Sequence, residues 1–278
     1  MRRSTAACAD RGPACSCPEG IAGRRKESWT TKPTRIHSGL MNLKNARVLI
    51  IGGTSGIGLG VAQAVADRGG VPIVVSRNQA NVDRALTGLG EHARGLTVDL
   101  GDPASLARLV DEVGEIEHLV FSAGESLTML GLADLTAEAI TEFLGTRFIG
   151  QLQAVREFAP RITPGGSITL TSGTAAEKPG LGVLPTAVSG AINAMTRALA
   201  IELAPLRVNT VSPGPIETPL WSALGAADRD AVYEQFASNL PAGRIGVPAD
   251  TALAYAYLME QEFGTGVVLT VDGGTTLV

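Results

Sequence analysis

From Met41 onward the chain contains no cysteine: Cys8, Cys15 and Cys17 all lie before it. Disulfides and thiol chemistry are therefore excluded from the part of the chain that carries a folding pattern. Aromatic residues make up only 4% and charged residues 18% of the 278 residues. No run of about 18 apolar residues occurs, which excludes a membrane-spanning helix. A net charge of −4 gives no electrostatic basis for binding nucleic acid. What is present is 45% apolar residues and 34 glycines, the composition of a folded chain with close backbone packing and tight turns. A small molecule is the expected partner, and the cytoplasm the expected compartment unless residues 1–40 direct the chain to an organelle.

Residues 1–40 are different in kind. They hold eight of the Lys and Arg residues against Asp10, Glu19 and Glu27, show neither helical nor strand periodicity, and are expected to be disordered. Three explanations stand side by side. Met41 is the true start; or the segment is a targeting arm, whose Arg and Ser/Thr content fits a transit peptide and whose acids do not; or the three cysteines bind a metal, although no fourth ligand has suitable spacing.

From residue 41 to 278 short β-branched runs alternate with amphipathic stretches. The runs are Val48–Ile51, Pro72–Val75, Gly95–Val98, His118–Ser122, Ser167–Thr171, Arg207–Val211 and Val267–Val271. Helical patterns include Gly58–Arg68, Pro103–Val113, Thr136–Phe158 and Thr186–Leu203. The alternation predicts an α/β fold, a single-domain Rossmann-type doubly wound parallel sheet of about seven strands.

The first run leads directly into Gly52-Gly53-Thr54-Ser55-Gly56-Ile57-Gly58 and then a helix. Glycines at a strand–helix junction let the backbone approach a pyrophosphate, whose charge the helix N-terminus stabilises. Gly52, Thr54, Ser55, Gly56, Ile57 and Gly58 are thus candidate cofactor ligands. About 20 residues on, where an acid would accept from a ribose 2′-hydroxyl, the chain has Ser76-Arg77-Asn78. A guanidinium with two small polar side chains suits a 2′-phosphate, so NADP(H) is favoured over NAD(H); the alternative is that Arg77 is only a solvated loop residue. Asp99, closing the third run, is placed to meet the adenine amino group, or else it caps the following helix.

Together with Asp99-Leu100, Ser122-Ala123-Gly124, the stretch Arg207 to Gly214 with Thr218, and the closing Val271-Asp272-Gly273-Gly274, this loop resembles the short-chain dehydrogenase/reductase family over residues 41–278. The resemblance implies that Ser122, Ala123 and Gly124 line the adenosine side and that Pro213, Gly214, Ile216 and Thr218 contact the nicotinamide half. It implies a homodimer or homotetramer, with Thr136–Phe158 and Thr186–Leu203 packing across a two-fold axis and the final strand making a second contact. It also implies an oxidoreductase that reduces carbonyls through Ser and Tyr-x-x-x-Lys, where the phenol donates a proton and the ammonium lowers its pKa.

That last implication meets a departure. The corresponding helix reads Thr186-Ala187-Val188-Ser189-Gly190, with Thr186 taken at the Tyr position and Gly190 at the Lys position. Tyr233, Tyr255 and Tyr257 lie far downstream, and Lys178 is the only lysine beyond Lys44. Ser172 keeps the family's serine place, as a substrate hydrogen-bonding group or a strand-end serine bonded to its own backbone. Arg147 stands where the family usually has Asn, either polarising a substrate or paired with Glu142 or Glu177. Lys178 borders the nicotinamide or is solvated. Ser172, Arg147 and Lys178 are the candidate catalytic residues. Three functions follow: an NADP(H)-dependent oxidoreductase for a small carbonyl, alcohol or imine with a non-standard proton relay; a nucleotide-binding protein without turnover; or a non-redox lyase or cyclase. The segment Pro215–Pro241, with Trp221, Tyr233 and Phe236, is expected to cover the substrate.

Overall fold

Buried β-branched runs form the centre of the molecule, and each sends alternate side chains to opposite faces. In β1 (Arg47–Ile51), Leu49 and Ile51 enter one apolar core while Val48 and Ile50 enter another, all at 0–1% exposure. A computed structural model describes residues 42–124 and 130–278, so the expectations for residues 1–40 and for Met41 lie outside the described residues. The strands β2 (Val71–Ser76), β3 (Arg94–Thr97), β4 (Ile116–Phe121), β5 (Ile162–Thr171), β6 (Arg207–Pro213) and β7 (Val268–Val271) join β1 in a seven-stranded sheet. Its order is β3-β2-β1-β4-β5-β6-β7 and every pairing is parallel. The chain reverses direction of travel between β1 and β4, and the crevice at such a switch point is where ligands bind in open α/β sheets.

One core lies beneath α1 (Gly56–Asp67), α2 (Gln79–Leu89) and α8 (Pro248–Glu260). The other lies beneath α3 (Pro103–Val113), α4 (Ala137–Leu144), α5 (Gln151–Phe158) and α6 (Val183–Glu202). The remaining helix, α7 (Ala226–Asn239), buries none of its residues fully. Five of these helices, α1, α3, α4, α5 and α6, overlap the four amphipathic stretches named from the sequence, and α7 falls within Pro215–Pro241; α2 and α8 are additions. The single helix expected over Thr136–Phe158 is instead α4, a π-helical stretch Gly145–Gly150, and α5. At the end of the π-helical stretch the Gln151 side-chain amide donates to the Arg147 carbonyl, taking up a backbone acceptor of the irregular ladder.

His118, the first residue of the run His118–Ser122, is 1% exposed in β4 and shares a 2.9 Å hydrogen bond with Ser167 Oγ. Burial, aided by the positive charge of Arg207, lowers its pKa to about 3. Above its unfolded value near 6.5 the imidazole is neutral in both states and adds no pH dependence. As the pH falls from there towards 3, the unfolded chain binds a proton that the folded chain refuses, so stability falls by up to about 1.4 kcal/mol per unit. His118→Gln is expected to flatten this limb: thermal melts between about pH 4 and 6.5 should fall less steeply than for wild type. Identical slopes would show that His118 does not carry the effect.

Candidate functional site

The loop after β1 is shaped by two close approaches. Gly52 has φ +88°, and a Cβ there would lie 2.5 Å from the Ala123 nitrogen. A Cβ on Gly58 would meet the Gly52 carbonyl oxygen at 2.2 Å and Ser122 Oγ at 2.4 Å. The ends of β1 and β4 are stitched together by the Ser122 amide, which donates to the Ile51 oxygen at 2.9 Å. Beyond them, the N-cap residue of α1, Ser55, makes no side-chain capping bond, and the first turn contains no acid. Helix N-termini carry amides without intrahelical acceptors and a partial positive charge. The opening over Thr54, Ser55 and Gly56 therefore has the chemistry that the pyrophosphate of a nicotinamide dinucleotide requires.

The other expected cofactor residues lie along the same strand ends. Ser76 closes β2, Arg77 is exposed just after it, and Asn78 caps α2, its side-chain oxygen accepting from the Ala80 amide at 2.8 Å. Helix capping is thus a role of Asn78 that was not foreseen. Asp99 does not cap α3, which corrects one of its two readings: Asp102 accepts from the Ala104 amide at 2.9 Å, whereas Asp99 accepts from Gly101. Leu100 packs on the core, and Gly124 lies against the Arg147 guanidinium.

A cavity of about 700 Å³ opens where β1, β4, β5 and β6 end. Ile57, Ser122, Ala123, Pro213, Gly214, Ile216 and Thr218 line it, and so do all three candidate catalytic residues, Ser172, Arg147 and Lys178. Ser172 follows the last residue of β5, where its amide donates to Val211. Its Oγ is buried and has no hydrogen-bond partner among the described residues, which overturns the reading of a serine satisfied by its own backbone. Arg147, within the π-helical stretch, has its Cζ 4.9 Å from the Phe143 ring centroid. Glu177, a suggested partner for it, accepts from the Asn193 amide at 3.2 Å. Lys178 is exposed; its Nζ donates to the Val278 oxygen, and both residues line the cavity.

The register taken for α6 needs correcting by one residue. The residues of α6 that line the cavity are Pro185, Val188, Ser189 and Ile192. Thr186 donates its hydroxyl to the Gly182 oxygen at 2.9 Å, and nothing lies within 4 Å of where a Gly190 Cβ would be. The cavity-facing pairs four apart are Pro185 with Ser189 and Val188 with Ile192, and the first of these lies one residue before Thr186 and Gly190. The apolar stripe Val188, Ile192, Leu199 carries this register at helical spacing, and was the signal available in the sequence.

Other contacts were not foreseen. Gln151, 2% exposed, lines the cavity and bridges the Arg147 and Thr171 carbonyls, while its Oε1 has no partner among the described residues. Thr171 Oγ1 donates to the Phe121 oxygen and lies 2.6 Å from the Tyr255 hydroxyl. Burial pushes the Tyr255 hydroxyl well above the usual phenol range, so it stays protonated and serves the core. The segment Pro215–Pro241 does wall the cavity through Trp221 and Phe236. Tyr233 instead faces a separate hollow with Arg229 and Glu217, where burial raises its pKa.

Among the described residues, no helix is long and apolar enough to cross a membrane, and no group of three His, Cys, Asp or Glu side chains could hold a metal. The family profile described as enoyl-(acyl carrier protein) reductase matches residues 52–276. The short-chain dehydrogenase/reductase ATR9 of Stachybotrys chlorohalonatus is 39% identical over 253 residues, covering 84% of this chain and 98% of that protein. Among solved structures, the MalC reductase/Diels-Alderase of Malbranchea aurantiaca aligns with a TM-score of 0.78 at 32% identity, over 85% of this chain and 98% of its own. A small-chain dehydrogenase in complex with NADPH aligns at 0.72 and 31%, covering 84% and 100%. A 3-ketoacyl-(acyl-carrier-protein) reductase of Brucella melitensis complexed with NADH aligns at 0.76 and 29%, covering 84% and 99%. The seven-stranded parallel sheet, the glycine loop and these matches over most of the chain lead to one conclusion: it belongs to the short-chain dehydrogenase/reductase family.

Proposed function

We propose that the chain is an NADP(H)-dependent oxidoreductase acting on a carbonyl, alcohol or imine group without a tyrosine–lysine proton relay. The observation that carries this reading is Ser172 Oγ: a buried hydroxyl without a protein partner, in the wall of the cavity beside the nucleotide loop. A buried hydroxyl left unpaired is costly, and a substrate oxygen or nitrogen relieves that cost. When bound, the nicotinamide supplies or accepts the hydride. The residues of the chain hold and orient. The first turn of α1 and Gly52 to Gly58 take the pyrophosphate, Ser76, Arg77 and Asn78 the 2′-phosphate, and Asp99 and Leu100 the adenine. Ser122, Ala123 and Gly124 support the adenosine side, and Pro213, Gly214, Ile216 and Thr218 the nicotinamide.

Proline and serine at positions 185 and 189 offer neither an acidic phenol nor an ammonium to activate one. The proton is therefore taken from water or a ribose hydroxyl beside Ser172, or the substrate needs none. Arg147 and Lys178 orient the reacting group rather than titrate. NADPH consumption across a panel of ketones and cyclic imines tests the reading: turnover with some member is expected, and a flat trace across the panel overturns it. The nucleotide preference has its own test. Arg77→Ala should weaken NADPH binding about tenfold to a hundredfold, the loss of a charge-assisted contact, and leave NADH binding almost unchanged. Equal losses for both nucleotides would remove Arg77 from the 2′-phosphate.

A second reading is favoured by one feature, the scarcity of proton-donating groups in a largely apolar cavity. Such a cavity suits a ring closure that needs shape and no proton transfer, the activity named for the structural relative from Malbranchea aurantiaca. Formation of a cyclised product at the same rate with and without nucleotide would support it. The expected self-association accords with exposed Ile149, Leu152 and Ile201 on the π-helical stretch, α5 and α6, and a native mass measurement reads it directly.

A further inference from the structure

We infer that the cavity takes a fused-ring, hydrocarbon-rich molecule held through one carbonyl or imine group, larger than the small carbonyl, alcohol or imine anticipated from the sequence. This rests on the reading that the cavity is the substrate site. Its volume of about 700 Å³, part of which the nicotinamide end takes when nucleotide is bound, is in the range that encloses a drug-sized ligand. The segment between β6 and α8 contributes Leu220, Trp221, Leu224, Val232, Phe236 and Leu240 to the wall, a surface that rewards apolar area and offers nothing to a charged group. Its polar members are Thr218, which is half-buried, and Gln235 and Asn239, which are exposed.

That wall is also held in place. Trp221 is 5% exposed and its indole N–H donates to the Ile216 oxygen at 2.9 Å. The Phe236 ring packs on it at 5.7 Å between centroids and 56° between planes. A pre-set aromatic wall favours a rigid occupant, which loses little freedom on binding, over a flexible acyl chain. Across from that wall the cavity is lined by Arg147, Gln151 and Ser172. Gln151 Oε1 accepts, and Ser172 Oγ donates or accepts. With Arg147 and Lys178 on the same side, the polar groups gather at one end of the cavity and serve a single functional group, and the apolar wall is left for hydrocarbon.

The chain has two tryptophans, Trp29 and Trp221, so Trp29→Phe leaves Trp221 as the only reporter in the wall. Nucleotide-free protein carrying this change is titrated with cyclohexanone, 1-decalone and a perhydrophenanthrenone, and separately with crotonyl-pantetheine, following Trp221 emission. Affinity is expected to rise roughly tenfold with each added ring, as the apolar area demands, and the thioester is expected to bind no better than cyclohexanone. Phe236→Ala and, separately, Leu224→Ala should weaken the tricyclic ketone about tenfold while leaving cyclohexanone unchanged. Affinities within threefold of one another across the ring series, or a thioester bound more tightly than the tricycle, would overturn the inference. Because nucleotide is absent, these outcomes are independent of whether NADPH is consumed.

Discussion

Gly58→Ala is expected to weaken NADPH binding by more than a hundredfold, while the chain still folds with a melting temperature lowered by about 2–12 °C. The new methyl would sit 2.2 Å from the Gly52 carbonyl oxygen and 2.4 Å from Ser122 Oγ, closer than any real carbon contact. The serine can rotate away, but the carbonyl is backbone, in the residue whose φ of +88° sets the turn. Relief must come from moving α1 away from the loop, which separates the helix amides from the glycines that let a pyrophosphate approach. The stability cost follows from overpacking, about 1–3 kcal/mol, spread over a domain in which each kcal/mol shifts the melting temperature by about 2–4 °C. Calorimetric titration alongside a thermal melt separates the two effects. Binding reduced only in proportion to unfolded protein would mean that the loop is not the phosphate site.

Ser172→Ala is expected to lower kcat/KM about a hundredfold to a thousandfold for whichever member of the ketone or imine panel is turned over, leaving NADPH affinity within twofold. Removing one preorganised donor to a developing oxyanion has an effect of that size. The side chain makes no hydrogen bond to the described protein, so its removal breaks no hydrogen bond and even deletes a buried unpaired group. The protein should be as stable as wild type or slightly more so. The combination is diagnostic: a residue serving only the fold would show the reverse pattern. Full turnover by the alanine variant would remove Ser172 from the reaction and favour the ring-closing reading, for which no proton relay is needed.

Much of the frame was legible because it depends on local pattern. The run Val48-Leu49-Ile50-Ile51 has no polar face, which only a strand covered on both sides can accommodate, and the glycines after it announce both the turn and the nearby helix. The site was less legible because its contacts are long-range or depend on one residue of register. Thr186 and Gly190 have the same spacing as Pro185 and Ser189, and only the packing of Val188 and Ile192 against the core decides which pair meets the cavity. No periodicity announces that Gln151 will reach back to the Arg147 carbonyl and across to Thr171, or that Tyr255 will spend its hydroxyl on Thr171, 84 residues away. Trp221 could be assigned to the substrate cover, but its anchoring on the Ile216 carbonyl could not.

The central claim is that the open first turn of α1 seats a nicotinamide dinucleotide whose reactive end enters the cavity at Ser172. Calorimetric titration of the unmodified protein with NADPH, and then NADH, addresses it most directly. The account predicts one saturable site per chain for NADPH and weaker binding of NADH. No measurable heat or saturation with either nucleotide at millimolar concentration would contradict it.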